Sequence, residues 1–157
     1  MPYVRDTRRS IGLGNFVLRY SDISGDPSSW VGTQFPDRLG IGAYVVDLHT
    51  VQNLPSPSYV SKINTLPFFI PLRALTNRDF TNLLVAGKTM AQTYHVNGAT
   101  RLQPIEWNSG VAAGAVASYM AQKSASSQGA LDAVKEIQNI VKKYAPISWT
   151  LKEKKYP

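Results

Sequence analysis

The 157-residue chain contains no cysteine. That one absence removes disulfides, thiolate metal sites and a redox dithiol together. Its only histidines are His49 and His95, too few for a transition-metal cage, so no metal ligands are assigned. No apolar run approaches the roughly 20 residues that a helix needs to cross a bilayer. The opening MPYVRDTRRS is basic but lacks the apolar stretch of a signal peptide. No membrane span is therefore expected, and the compartment stays open. Several signatures are also missing. There is no Walker loop, no HExxH and no GxSxG. Gly12-Leu13-Gly14 meets Val17 where a GxGxxG loop has its third glycine, and Gly40-Ile41-Gly42 meets Val45.

What is present suits a folded domain: 43% hydrophobic and 17% charged residues, with enough length for one real core. The net charge of +7 would suit nucleic acid or an anionic cofactor. Its distribution argues for solvated ends instead. Lys142, Lys143, Lys152, Lys154 and Lys155 sit near the C-terminus, and Arg5, Arg8 and Arg9 near the start. Without a motif that interleaves basic and stacking aromatic residues, no nucleic-acid partner is expected.

The richest stretch runs from Thr81 to Met120. Leu83-Leu84-Val85-Ala86 predicts a buried strand ended by Gly87, then a polar loop from Lys88 to Gln103. Pro104 opens a predicted helix rich in alanine and glycine. A strand, a glycine turn and a close-packed helix are a familiar place for a phosphorylated cofactor. Further strands are predicted over Asn15–Tyr20 and Ile41–His49. Leu66–Leu75, broken by Pro67 and Pro71, suits an edge strand or an extended crossing. Alternation in the second strand puts Asp47 and His49 on one side. There the pair either fixes an imidazole tautomer for acid–base work or makes a structural hydrogen bond at a sheet edge. Lys123–Gly129 is a small polar linker, and Ala130–Tyr144 has the apolar spacing of an amphipathic helix that Pro146 stops.

Six pieces in order carry a family resemblance: PYVRDTRRSIG (2–12), PDRLGIGAYVVDLH (36–49), IPLRAL (70–75), NLLVAGK (82–88), RLQP (101–104) and GVAAGAVAS (110–118). The chain resembles the C-terminal part of FAD-dependent oxidoreductases with a two-dinucleotide-binding-type fold. The resemblance implies an α/β fold, α+β as a fragment: the C-terminal piece of a Rossmann-type flavoprotein. Residues 1–70 would form a β-rich substrate-side segment and 71–122 the closing part of the FAD-binding domain, with a linker, helix and basic tail over 123–157.

The resemblance further implies FAD as cofactor, held by Gly87, Lys88, Arg101, Leu102, Gln103, Pro104 and Gly110. It places Arg8, Arg73 and Asn97 toward a small polar, possibly hydroxylated substrate that gives hydride to the flavin. Arg8, like Arg5 and Arg9, is equally readable as a surface arginine. The catalytic candidates are His49, Tyr94 and His95. The histidine usual in that loop falls in register on Tyr94, with His95 one residue late, and Glu106 and Trp107 replace smaller residues. The ADP half of FAD would need a GxGxxG-bearing N-terminal half or partner chain. The alternative is a non-catalytic module derived from such a flavoprotein that has lost its cofactor.

Overall fold

A computed structural model describes residues 8–25, 28–49 and 63–144. Its architecture is mixed α+β: five α-helices and three 3-10 turns around a small antiparallel sheet, among the described residues. Strand β1 (Arg38–Gly42) pairs with β2 (Phe68–Pro71), with a bulge between Arg38 and Gly40. Both strands are rich in buried side chains, among them Leu39, Phe68, Phe69 and Ile70. Gly42 is required by packing, since a Cβ there would run into the buried Phe68 ring.

The long helix α3 (Gln103–Lys123) lies against β1 and also packs against α4 (Ser127–Asp132) and α5 (Val134–Tyr144). Its inner stripe, Ile105, Ser109, Ala112, Val116 and Met120, follows the 3.6-residue period and is buried. Ser124 ends it in the left-handed conformation. The opposite face holds Trp107, Gly110, Gly114 and Ala117, all exposed, with Trp107 at 63%. That face is small and apolar where a finished surface helix would carry charge.

Several expectations change. Asn15–Tyr20 is not a strand. Gly14 and Asn15 take left-handed φ values of 64° and 59°, forming a 3-10 turn (Leu13–Asn15). Asp22 then caps α1 (Tyr20–Ser24) by accepting from the Arg19 N–H at 2.8 Å. The strand expected over Ile41–His49 begins earlier, at Arg38, and its ladder ends at Gly42. Beyond it, among the described residues, only the Val46–Ile63 bridge forms. Alternation persists, with Val46 and Leu48 buried and His49 exposed. Leu83–Ala86 is extended but makes a single bridge, Leu84 to Thr76, supported by Val85 N–H to Leu75 O at 2.9 Å. Among the described residues it has no second strand to ladder with.

The expected loop from Lys88 to Gln103 contains a helix, α2 (Tyr94–Thr100), five of whose residues are buried. Asn, Gly, Thr and Val are indifferent helix formers, so tertiary burial decides this segment. The C-terminal helix is present but split. Ser126 accepts from Gly129 N–H at 3.2 Å and starts α4 inside the expected linker, and Ala133 separates it from α5. Lys142 and Lys143 occupy the last turn of α5, favourably placed for its dipole. Pro146, Arg5 and the lysines beyond 144 lie outside the described residues.

One ion pair ties the layers together. Asp37 is 3% exposed and accepts from Arg73 Nε at 3.0 Å and Nη2 at 3.1 Å, while the Leu72 N–H donates to the Asp37 carbonyl at 2.7 Å. The Arg73 guanidinium carbon stands 4.7 Å from the Phe16 ring centroid and 5.9 Å from that of Phe35. Truncating one partner of a buried pair strands the other charge. Arg73→Met is therefore expected to destabilise the fold by about 3 kcal/mol, read from the midpoint of urea unfolding. A midpoint equal to that of the unaltered chain would show the pair to be ornamental.

Candidate functional site

Where the extended Leu83–Ala86 segment ends, Gly87 turns the chain with φ +61 into a 3-10 turn (Gly87–Thr89). A residue with a Cβ disfavours that conformation, which gives glycine a backbone reason there. The turn is fastened to α3: Gly87 N–H donates to Ser109 Oγ at 3.0 Å, and Ser109 Oγ donates to Glu106 O at 2.8 Å. Beside it stands the N-terminus of α3. Leu102 at the N-cap offers no side-chain oxygen, Pro104 brings no N–H, and Gln103 and Pro104 are exposed. A long helix thus presents an uncapped positive end next to a turn that opens on glycine.

Those features fit the carbonyl edge or anionic group of a bound cofactor. Glu106 modifies the fit. Its Oε1 lies 3.7 Å from where a Gly87 Cβ would be, so one carboxylate already stands by the turn. Lys88 is half-buried in the turn itself. Gly110 sits one to two helical turns further on, exposed, with nothing within 4 Å of the Cβ it lacks.

The residue that organises this region was not singled out from sequence. Gln92 is 2% exposed, and its Nε2 lies 3.4 Å from the Gly87 carbonyl, the Lys88 carbonyl and Asn97 Oδ1. Thr100 Oγ1 donates to its Oε1 at 2.5 Å, and Arg9 Nε donates to its backbone carbonyl at 2.9 Å. Its side-chain amide therefore couples the glycine turn to α2, and its backbone carbonyl ties both to the N-terminal segment. The available signal was weak: a polar residue between apolar and small neighbours in a stretch that reads as loop.

The other expected site residues separate into groups. Asn97 is buried in α2 on the Gln92 network, while Tyr94 and His95 meet edge to face at its first turn, ring centroids 5.8 Å apart. His49 bonds Asp47, Nε2 to Oδ2 at 3.0 Å, as their shared side predicts. Arg101 ends α2 and donates from Nη2 to the Asp47 carbonyl at 2.7 Å and to Asp47 Oδ2 at 3.3 Å. Leu102 is half-buried between the helices. Arg8 is exposed at the edge of the described residues, and Arg73 is engaged by Asp37 as above. Among the described residues no cluster of three or more His, Asp or Glu could hold a metal, and no helix is long and apolar enough to cross a membrane.

Comparison with known proteins gives one family. The profile described as FAD dependent oxidoreductase matches residues 1–141. No curated protein and no solved structure matches the chain.

Replacing Gln92 by leucine keeps the volume roughly constant but removes the acceptor of the buried Thr100 hydroxyl and the amide donor facing Gly87 O, Lys88 O and Asn97 Oδ1. Gln92→Leu is expected to cost about 1–3 kcal/mol and to speed amide exchange selectively over residues 87–100. Unchanged protection in that stretch would remove Gln92 from its organising position.

Proposed function

The chain belongs to the family of FAD-dependent oxidoreductases, and we propose that it supplies the closing, flavin-facing part of such an enzyme together with part of its substrate wall. The bound flavin would supply the hydride acceptor, and the donor would be a small polar substrate bearing a hydroxyl. In this reading the chain is a Rossmann-type piece divided near residues 70 and 122. It needs a GxGxxG-bearing unit, in the same polypeptide or in a partner, for the ADP half of the cofactor.

The observation that carries the proposal is the pairing of Gly87 with the uncapped end of α3. Around it, Gly87 admits the cofactor close to the backbone. Lys88 supplies a point charge for a phosphate or the ribityl chain. Gln103 and the turn from Leu102 to Pro104 offer the helix end to the pyrimidine edge, where the dipole favours negative charge. Gly110 keeps the outer face of α3 low. Arg101 borders the site from the end of α2. His49, Tyr94 and His95 are the candidates for handling the substrate proton, and Asn97, Arg8 and Arg73 for the substrate side. Two features support an incomplete cofactor site in this chain: the unladdered Leu83–Ala86 segment and the bare face of α3 around Trp107. An unpaired strand edge invites a neighbouring strand.

The contrasting reading, a module that has lost its cofactor, makes a different forecast in the same experiment. FAD added to the isolated chain is expected to leave its absorbance that of free flavin and to quench Trp107 little. Supplied with a GxGxxG-bearing half from the same family, the complex is expected to retain a bound flavin band through gel filtration, and Gly87→Val to abolish it. A folded complex that stays colourless overturns the proposal in favour of the cofactor-less module, and a Gly87→Val complex with full flavin overturns it by removing Gly87 from the cofactor site.

A further inference from the structure

Three side chains run in a line from the interior to the surface. Arg101 is 9% exposed, Asp47 26% and His49 41%. Arg101 Nη2 grips Asp47 twice, by its backbone carbonyl at 2.7 Å and its carboxylate Oδ2 at 3.3 Å. The same Oδ2 meets His49 Nε2 at 3.0 Å. The backbone holds Asp47 from the same quarter, since its N–H donates to the Gly98 carbonyl at 3.3 Å. Gly98 permits that approach: a Cβ there would stand 3.1 Å from both Leu48 Cδ2 and Val46 Cγ1, and 3.3 Å from the Asp47 carbonyl oxygen. Asp47 is thus clamped by α2 through both main chain and guanidinium, which leaves the exposed imidazole as the outermost member.

We propose that Arg101 and Asp47 are positioning residues that hold His49 as the proton acceptor of the reaction, with Arg101 acting through Asp47 and not on the cofactor. With Nε2–H given to Asp47, the neutral imidazole keeps its lone pair on Nδ1. Nδ1 takes the substrate hydroxyl proton. The O–H electron pair becomes the new C=O bond as hydride leaves the same carbon for oxidised flavin, and the imidazolium so formed lies against the Asp47 carboxylate. Arg101 fixes that carboxylate in direction, so the ring cannot rotate to present the wrong nitrogen. The role of the proton rests on the flavoenzyme reading above, but the relay itself is a property of this chain and is tested without flavin.

The chain has only two imidazoles, so nitrogen-15 NMR resolves His49 with His95 as internal control. In the unaltered chain, His49 is expected as a single neutral tautomer protonated at Nε2, with that proton exchanging slowly with water. Arg101→Met is expected to lose the slow-exchanging Nε2 proton and to give His49 the mixed tautomers of a solvated ring, leaving His95 unmoved. Asp47→Ala should do the same with Arg101 intact, and Arg101→Lys should recover part of the protection. A His49 already mixed and fast-exchanging in the unaltered chain overturns the proposal. So does an Arg101→Met chain whose backbone signals shift over 46–49 while the Nε2 proton is retained, which would make Arg101 purely structural. A relay confirmed here beside a colourless reconstituted complex would refute the flavin reading alone.

Discussion

The fold depends first on a charge pair whose acidic partner has been taken almost out of water. Asp37 is 3% exposed, and Arg73, with its side chain 33% exposed, grips it from the 3-10 turn (Leu72–Leu75) that follows β2. Because the guanidinium also faces the rings of Phe16 and Phe35, three pieces of chain distant in sequence must be correct before any one is comfortable. These pieces carry few regular hydrogen bonds of their own. The sheet has two strands, and several remaining contacts are single bridges. A planar, multi-donor cation suits such a junction better than an apolar contact, because it fixes direction as well as distance.

From that junction the arrangement of the site follows. Arg73 is in the turn whose continuation, Leu75 and Thr76, pairs with Leu84 and Val85, and these lead directly to Gly87. The Ala91 N–H donates to the Ala74 carbonyl at 2.7 Å, returning the chain to the same turn before Gln92. The glycine turn is thus bracketed on both sides by hydrogen bonds to residues 74–76. Its position relative to α3 is then set by Ser109 and relative to α2 by Gln92, neither of which is charged.

Much of this was legible wherever one physical signal dominated. The start of α3 near Pro104, the apolar spacing of α5, and the shared side of Asp47 and His49 follow from periodicity and proline chemistry alone, and the family from six short motifs in order. The strands were misread because β propensity describes a residue's comfort on a half-buried surface, not whether a neighbour exists to pair with. Asn15–Tyr20 and Leu83–Ala86 contain the right side chains and lack a ladder. Helix α2 was hidden for the converse reason: its residues favour no helix by themselves, and burial of Val96, Asn97 and Ala99 imposes one. Gln92 gave no sequence sign because its importance lies in side-chain partners up to eight residues away that converge only when α2 forms.

Helix α3 has two sides with different histories ahead of them. Ile105, Ala112 and Val116 are sealed within this chain, so a change there is felt as soon as the polypeptide folds. Gly110, Gly114 and Ala117 touch little here, and a larger residue at those positions leaves the isolated chain intact. Folding of this chain consequently tests substitutions on the inner side and leaves those on the outer side untested. Sequence drift along a single helix would then keep two independent records, alternating every few residues.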